Sequence, residues 1–311
     1  MRKVVIGSRG SQLALWQSEH VRDWLTVRHP GFEFPIEIIH TMGDKILDVP
    51  LAKIGDKGLF TKEIENALLD RRIDLAVHSL KDLPTKLEAG LAIGAISVRE
   101  DVRDAWVSRR GVALADLPEG ATVATSSLRR RSQLWARRPD LRIVDMRGNL
   151  NTRMRKLDES DEIDGLVLAA AGLVRLGWET RITHRIEFDA ILPAVGQGAL
   201  AVEIRADDAE TAALLADFNH ADTQTAVRAE RAFLRRLEGG CQIPIGAHAT
   251  VSGGRVRLDG LVGSLDGTRI LRDAAEGDAT DPEAVGIALA GTLLAAGADA
   301  ILAEITAAAR S

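Results

Sequence analysis

A single cysteine, Cys241, is the only thiol in 311 residues, so no internal disulfide can brace this chain. Nothing at the start reads as an export signal: Val4-Val5-Ile6 follows Met1-Arg2-Lys3, but Gly7-Ser8-Arg9 cuts the apolar run at once. The longest uncharged apolar stretch, 284–298, carries glycines at 286, 291 and 297 and is too short for a membrane span. These absences predict a cytoplasmic protein that engages no membrane. Phosphate-loop signatures are missing too. There is no Walker A pattern, and Gly196-Gln197-Gly198-Ala199-Leu200-Ala201 lacks the third glycine of a dinucleotide loop. No His, Asp and Glu cluster stands at ligand spacing, so no metal is expected.

What is present is an ordinary globular balance, 46% hydrophobic and 27% charged, enough to bury a core in two or three domains. The net charge is −5, but it is unevenly spread. Between Thr125 and Arg155 stand nine arginines, no lysine and two aspartates, an excess of seven positive charges that leaves −12 for the rest. A local cationic field in an acidic chain suits a small polyanion better than a long nucleic acid, which would meet the −12 elsewhere. Arginine in place of lysine points to planar, bidentate recognition of carboxylate or phosphate.

In chain order, Lys3–Ser8 reads as a buried strand, followed by a helix from near Ser11 with Leu13, Trp16, His20 and Trp24 on one side. Phe32, Phe34, Ile36 and Ile38 alternate as a second strand. The run Met42–Gly58 suits a surface loop, Leu59–Arg71 a helix, and Ile73–His78 and Leu91–Val98 two further strands. Arg99–Asp104 is nearly all charge and marks a boundary. Beyond it strands at 122–126, 141–146 and 165–169 alternate with helices at 128–138 and 151–158, the pattern of a parallel sheet covered by helices. A strand at 199–204 crosses back to the first lobe. From Asp222 a long helix carries Ala226, Ala229, Phe233 and Leu237 on one stripe, then strands near 247–251, 255–261 and 269–272 precede alanine-rich helices. The expected domains are 1–98 with 199–217, 103–193, and 220–311.

Cys241 follows Gly239-Gly240, the expected stop of that helix, so the helix's negative end faces the thiol. Such a setting opposes a rapidly cycling nucleophile and favours a slow, single attachment of a cofactor. A buried filler role and a hydrolase pairing with His248 stay open on these residues alone. Three strand-to-helix junctions combine a hydroxyl or amide with arginine: Ser8-Arg9-Gly10-Ser11, Thr125-Ser126-Ser127-Leu128-Arg129-Arg130, and Arg147-Gly148-Asn149-Leu150-Asn151-Thr152-Arg153. Each alone is ordinary capping, and together they suggest a site for several carboxylates. Asp82 follows a buried strand and reads either as a carboxylate delivered to a cleft or as a turn capper before Leu83-Pro84. Lys57 and Phe60 read as a lid or a helix staple. Arg131, Arg137, Arg138 and Arg155 read as solvated helix faces.

Six motifs in order carry a resemblance: Gly58-Leu59-Phe60, His78-Ser79-Leu80-Lys81-Asp82-Leu83-Pro84, Thr125-Ser126-Ser127-Leu128-Arg129-Arg130, Arg147-Gly148-Asn149, Pro193-Ala194-Val195-Gly196-Gln197-Gly198 and Glu238-Gly239-Gly240-Cys241-Gln242. With Arg9-Gly10-Ser11 and Leu13-Ala14-Leu15-Trp16-Gln17 they span nearly the whole chain, which resembles the porphobilinogen deaminase (hydroxymethylbilane synthase) family. The resemblance implies an α/β fold of two hinged periplasmic-binding-protein-like (type II), doubly wound lobes with a smaller C-terminal α+β domain. It implies a monomeric transferase that condenses four porphobilinogen molecules, releasing ammonia, on a dipyrromethane cofactor thioether-linked to Cys241. Asp82 would be catalytic. Lys81, Asp82, Ser127, Arg129, Arg130, Arg147 and Gly148 would hold the cofactor, and Arg9, Ser11, Lys57, Phe60, Arg147, Arg153 and Arg175 the substrate and growing oligopyrrole chain. The loop Met42–Asp56 matches least tightly. Two other classes fit the bare pattern: a two-lobed anion-binding module, which needs no cysteine adduct, and a nucleic-acid binder, whose affinity falls steeply with salt.

Overall fold

The computed structural model describes residues 2–45, 60–237 and 243–310. The chain opens with β1 (Arg2–Lys3), β2 (Ile6–Ser8), α1 (Gln12–Arg28), β3 (Phe32–Glu33), β4 (Ile36–Ile38), α2 (Met42–Lys45), α3 (Lys62–Leu69), β5 (Leu75–Ser79) and β6 (Leu91–Ile96). It continues with β7 (Asp104–Ser108), β8 (Thr122–Ala124), α4 (Leu128–Arg137), β9 (Arg142–Val144), α5 (Leu150–Glu159), β10 (Gly165–Ala169), α6 (Ala170–Arg175) and β11 (His184–Ile186). Then come β12 (Leu200–Arg205), α7 (Ala209–Leu214), α8 (Ala221–Arg236), β13 (Ile245–Ser252), β14 (Arg255–Gly263), β15 (Ile270–Asp278), α9 (Pro282–Leu293) and α10 (Asp299–Arg310).

Two five-stranded sheets have matching orders, β4-β2-β5-β12-β6 and β9-β8-β10-β7-β11. In each, four strands share one direction, and the fifth, delivered from across the boundary, lies antiparallel between two of them. The exchanged strands are β7 and β12, so the chain passes between the lobes twice, through residues 97–103 and 187–199. This is the doubly wound, type II periplasmic-binding-protein-like arrangement. All six residues of β12 are buried. The C-terminal domain is a three-stranded antiparallel sheet, β13-β14-β15, covered by α8 and α9.

Several expectations need correcting. The inner face of α1 is Gln17, Ser18, Val21 and Leu25, whereas Trp16 and His20 stack at 5.2 Å outside that stripe and Trp24 packs edge-on against Phe218. Two apolar rows share this helix, and the small Ser18 and amide Gln17 are the ones that fit beneath the sheet. The predicted second strand splits at Pro35, which lacks the N–H a ladder needs: β3 pairs with β1 and β4 with β2. Met42–Lys45, expected as loop, forms one helical turn, and the rest of that loop lies outside the described residues. The strand β7 escapes sequence reading because its first residue, Asp104, ends a run of charges. Trp106 in its middle is wholly buried and donates its indole N–H to the Val112 carbonyl at 2.9 Å.

The stretch expected to be too short for a membrane span belongs to a longer helical run. Pro282–Ala308, whose most apolar 18 residues have mean hydropathy 1.9, is long and apolar enough to cross a membrane by length and composition. Here it breaks at Gly297, φ 103°, a left-handed value that a side chain would strain. Its apolar side, through Val285, Leu289, Leu293, Ile301 and Ile305, joins the core beneath β14 and α8.

Helices α8 and α9 touch most closely at Gly286, where an added Cβ would stand 2.2 Å from the Ala229 carbonyl oxygen and 2.7 Å from the Phe233 nitrogen. Gly291, one helix face away, has open space around it. Gly286→Ala should therefore lower stability by about 1–3 kcal/mol through overpacking, while Gly291→Ala should raise it by up to about 1 kcal/mol through helix propensity. Denaturant midpoints of the two variants, measured side by side, check this opposition of sign.

Candidate functional site

Strand ends from both lobes converge between the two crossings. At the end of β2, Ser11 caps α1, its hydroxyl accepting the Ala14 N–H at 3.3 Å. Arg9 lies over the Phe60 ring at 4.3 Å, so Phe60 is a cation–π platform rather than a helix staple. At the end of β5, Ser79 accepts a hydrogen bond from the Gln17 amide at 2.9 Å, and a tight turn, Leu80–Asp82, carries Lys81 and Asp82. The turn closes through the Leu83 N–H to the Leu80 carbonyl, and Arg231 holds the Leu83 and Pro84 carbonyls from α8. Asp82 is exposed, and its carboxylate makes no hydrogen bond among the described residues. Its carboxylate is thus no turn capper, and it lines one recess with Arg9, Ser11, Gln17, Phe60 and Ser79.

The second lobe adds two helix N-termini. Ser127 caps α4 by accepting the Arg130 N–H at 3.4 Å, and Asn149 caps α5 by accepting the Thr152 N–H at 2.9 Å. Gly148 precedes that cap at φ 119°, where a Cβ would meet Thr152 at 2.7 Å, so glycine is required. Arg153 donates from Nε to the Gly148 carbonyl at 2.9 Å. Its guanidinium is pushed down to about 10, by desolvation first and then by Arg130 and Arg147, with Asp82 opposing. Arg175 donates to the Gly198 carbonyl at 2.6 Å and faces the Trp16 ring at 5.9 Å, bridging α6 to the crossing segment and to α1.

The centre of the site is a residue that sequence analysis missed. Asp104, wholly buried, accepts from Arg129 Nη1 at 2.8 Å, from Arg130 Nη2 at 2.7 Å and from Gln197 Nε2 at 2.9 Å. Burial works against its charge, but the two guanidinium groups outweigh it and hold the carboxyl far below the usual carboxylate range. Arg129 also reaches the Leu192 carbonyl at 2.7 Å and Arg130 the Val167 carbonyl at 2.9 Å. These two arginines, expected to face ligand carboxylates, each give two side-chain hydrogen bonds to protein acceptors. The Arg130 Nε is buried and finds no acceptor among the described residues. Lys81 is pulled down to about 8, by desolvation first, with Asp82 and Asp104 opposing and Arg130 and Arg129 reinforcing the fall. The only signal for Asp104 was an acid opening a strongly apolar strand, Ala105-Trp106-Val107.

Among the described residues, Lys81, Arg129, Arg130 and Arg153 thus gather around two acids, Asp82 and Asp104, with Arg147 beside Arg153. Inside this junction, two buried arginines outnumber the one buried aspartate, an excess of positive charge that favours an anionic partner. Cys241 and Lys57 lie outside the described residues. Of the arginines expected on solvated faces, Arg137 and Arg155 are exposed and paired with Asp189 and Glu159. Arg131 lies over Trp135 at 5.3 Å. Arg138 differs, because its half-buried fork binds Asp140 and the Leu117 and Pro118 carbonyls and so knits the second lobe together.

The family model described as "Porphobilinogen deaminase, dipyromethane cofactor binding domain" matches residues 4–213, and "Porphobilinogen deaminase, C-terminal domain" matches residues 224–295. Among curated relatives, the porphobilinogen deaminase of Desulforudis audaxviator is 57% identical over 306 residues, covering 98% of this chain and 99% of its own. Those of Carboxydothermus hydrogenoformans and Geobacter sulfurreducens are 55% and 53% identical, each over 98% of this chain and over 97% and 95% of their own lengths.

Asp104→Asn keeps the shape of the triad but leaves two buried guanidinium groups without their charge partner. It should cost about 3–5 kcal/mol of stability. Because the folded carboxyl is depressed, the stabilisation is present above the unfolded value near pH 4 and is lost only as pH falls through the lower folded value. Urea unfolding of both proteins between pH 5 and 8 should therefore show a constant gap. A gap below about 1 kcal/mol, the size of a neutral hydrogen bond, would mean that the triad carries no net charge interaction.

Proposed function

The chain belongs to the porphobilinogen deaminase family, and on that premise we propose how its cleft conducts the reaction. The enzyme joins four porphobilinogen molecules head to tail on a covalently bound dipyrromethane primer, releasing one ammonia per addition, and water then cleaves the linear tetrapyrrole from the primer as hydroxymethylbilane. When bound, that primer supplies the pyrrole carbon to which the first unit is joined. Cys241 is its attachment point, and Lys81, Asp82, Ser127, Arg129, Arg130, Arg147 and Gly148 hold it. Arg9, Ser11, Lys57, Phe60, Arg147, Arg153 and Arg175 receive porphobilinogen and the growing oligopyrrole. The lobes are residues 1–98 with 199–217 and residues 103–193, and the C-terminal domain is 220–311. The protein works as a cytosolic monomer without nucleic acid or membrane, in keeping with its net charge of −5.

One observation supports this assignment above the others: among the described residues, Lys81, Arg129, Arg130 and Arg153 gather around two acids. Each pyrrole ring bears two carboxylates, so an oligopyrrole offers the anions that the junction lacks. Arg153, half-buried and desolvated beside Arg130 and Arg147, gains most from such a ligand. Lys81, down at about 8, is charged at neutral pH and loses that charge as pH rises through this value.

Asp82 is the catalytic carboxylate. It stands exposed on the turn after β5, beside Lys81 and in the recess shared with Arg9 and Phe60. As the substrate's C–N bond breaks, the electron pair leaves with ammonia and positive charge grows on the pyrrole ring and its N–H. A carboxylate at that N–H lowers the energy of this charge. When the new C–C bond forms, the proton shed by the ring carbon passes to Asp82 and on to ammonia, which departs as ammonium. Starting from the ammonium form of the substrate amine, each condensation balances in atoms and charge with no other reagent, and only the final release consumes water.

Asp82→Asn removes the charge and keeps the size, so condensation should fall roughly 10²- to 10⁴-fold while ligand binding survives. Assembly of the primer uses the same chemistry, so the apo-protein is first loaded with preformed linear tetrapyrrole. Turnover within about tenfold of wild type, below the range expected of acid–base help, would remove Asp82 from the mechanism. For the attachment point, intact mass of the active protein should exceed the chain mass by a two-pyrrole adduct. Cys241→Ser should fold without a stable adduct, since a hydroxyl is a far weaker nucleophile than a thiol. Active protein at the bare chain mass would return Cys241 to the role of a buried filler.

A further inference from the structure

The segment Gly196-Gln197-Gly198 fails as a dinucleotide loop, yet its geometry is tightly specified. Gly196 and Gly198 have φ of 72° and 89°, and a Cβ at either would strike Leu80 at 2.9 Å or the Glu100 carbonyl at 2.5 Å. Between them Gln197 is 1% exposed. Its backbone carbonyl accepts from Arg99 Nε at 2.8 Å and its N–H reaches the Ala194 carbonyl. Its side-chain amide donates to the Val102 carbonyl at 2.7 Å and to Asp104 Oδ1 at 2.9 Å. Both acceptors sit on the Nε2 side, and flipping the amide would set its oxygen against a carbonyl and a carboxylate. Oε1 therefore faces Lys81, whose ammonium lies 3.5 Å away.

We propose that Gln197 is a positioning residue for the condensation, holding the Lys81 ammonium against the Asp104–arginine cluster so that the crossing between the lobes fixes a cation on the cleft floor. Lys81 comes from the first lobe, Asp104, Arg129 and Arg130 from the second, and Gln197 from the strand of chain joining them. The groups facing Lys81 are Asp82 on its own turn, Asp104 on β7, and Arg130 and Arg129 on α4. Two of the four repel it. The amide oxygen of Gln197 is a neutral acceptor that offsets part of that repulsion without adding a charge beside Asp104. This inference rests on Lys81 being a cleft cation, as proposed above.

The test reads the amine itself. In the holoenzyme, acetylation of Lys81 by acetic anhydride is followed across pH 6–10 by peptide mass spectrometry, giving its titration midpoint. Gln197→Met keeps the length but removes the acceptor, so the midpoint should fall by about one unit and the labelling rate at pH 7 should rise about fivefold. Gln197→Glu puts a carboxylate there and should move the midpoint upward, slowing labelling at pH 7. The alkaline limb of the condensation rate should shift in the same two directions, with KM for porphobilinogen changing less than about threefold, so that the effect falls on kcat. Unchanged midpoints overturn the proposal. So does an upward shift in both variants, which is what water entering a loosened crossing would cause. Should Gln197→Met fail to fold, the direction in Gln197→Glu decides alone. Midpoints that move while condensation does not would remove Lys81 from the cleft machinery and leave its coupling to Gln197 standing.

Discussion

A buried carboxylate held between two buried guanidinium groups organises this molecule. Asp104 opens the strand that enters the second lobe, and its three partners come from two separate segments, the first turn of α4 and the returning crossing. A lone charge there would cost several kcal/mol by desolvation. With Arg129 and Arg130 it is compensated more than once over, and the triad keeps a net positive charge. The surplus is the useful part. It lets the junction remain short of anions after folding is complete, a condition that a ligand rich in carboxylates relieves.

A second buried carboxylate does the same work for the C-terminal domain. Glu230 on α8 receives both arms of Arg99 at 2.6 and 3.0 Å, the Gly196 N–H at 2.7 Å and the Ala249 N–H at 2.8 Å. Arg99 belongs to the outgoing crossing, Gly196 to the returning one, and Ala249 to β13. Four hydrogen bonds satisfy one fully buried carboxylate and fasten the domain carrying Cys241 to both connections between the lobes. The β14–β15 turn adds a close contact, since Gly267 sits against the Ser132 carbonyl and the Ala136 nitrogen of α4. The helix that presents Arg129 and Arg130 is thus held from the sheet beneath and from the C-terminal domain above.

Proximity explains why the cations are readable as a group and misleading as individuals. Nine arginines within 31 residues announce an anion site, and the structure does bring Arg129, Arg130, Arg147 and Arg153 together. Periodicity does not say which guanidinium serves the ligand and which serves the protein. Arg138 has the sequence setting of a solvated side chain and instead ties a carboxylate and two carbonyls. Arg129 has the setting of a ligand contact and also serves the protein, through Asp104 and the Leu192 carbonyl. The same limit applies to α1, where two apolar rows compete and only the neighbouring sheet selects Val21 and Leu25 over Trp16 and Trp24.

The amino-acid sequence by itself determined the features that local rules govern. Apolar runs punctuated by glycine marked most strands, Ser11, Ser127 and Asn149 set three helix starts by capping, and ordered motifs pointed to the family. The stripe Ala226, Ala229, Phe233 and Leu237 is buried as its spacing requires. Tertiary structure alone decided which polar residues could go inside, because a buried charge is stable only beside partners distant in the chain. Asp104 meets Arg129 across 25 positions, Gln197 across 93, and Glu230 meets Arg99 across 131. Local pattern scores such residues as surface. Burial becomes possible for them only when the fold supplies the opposing charge or hydrogen bond, and that pairing is what turned a charged boundary segment into the centre of the site.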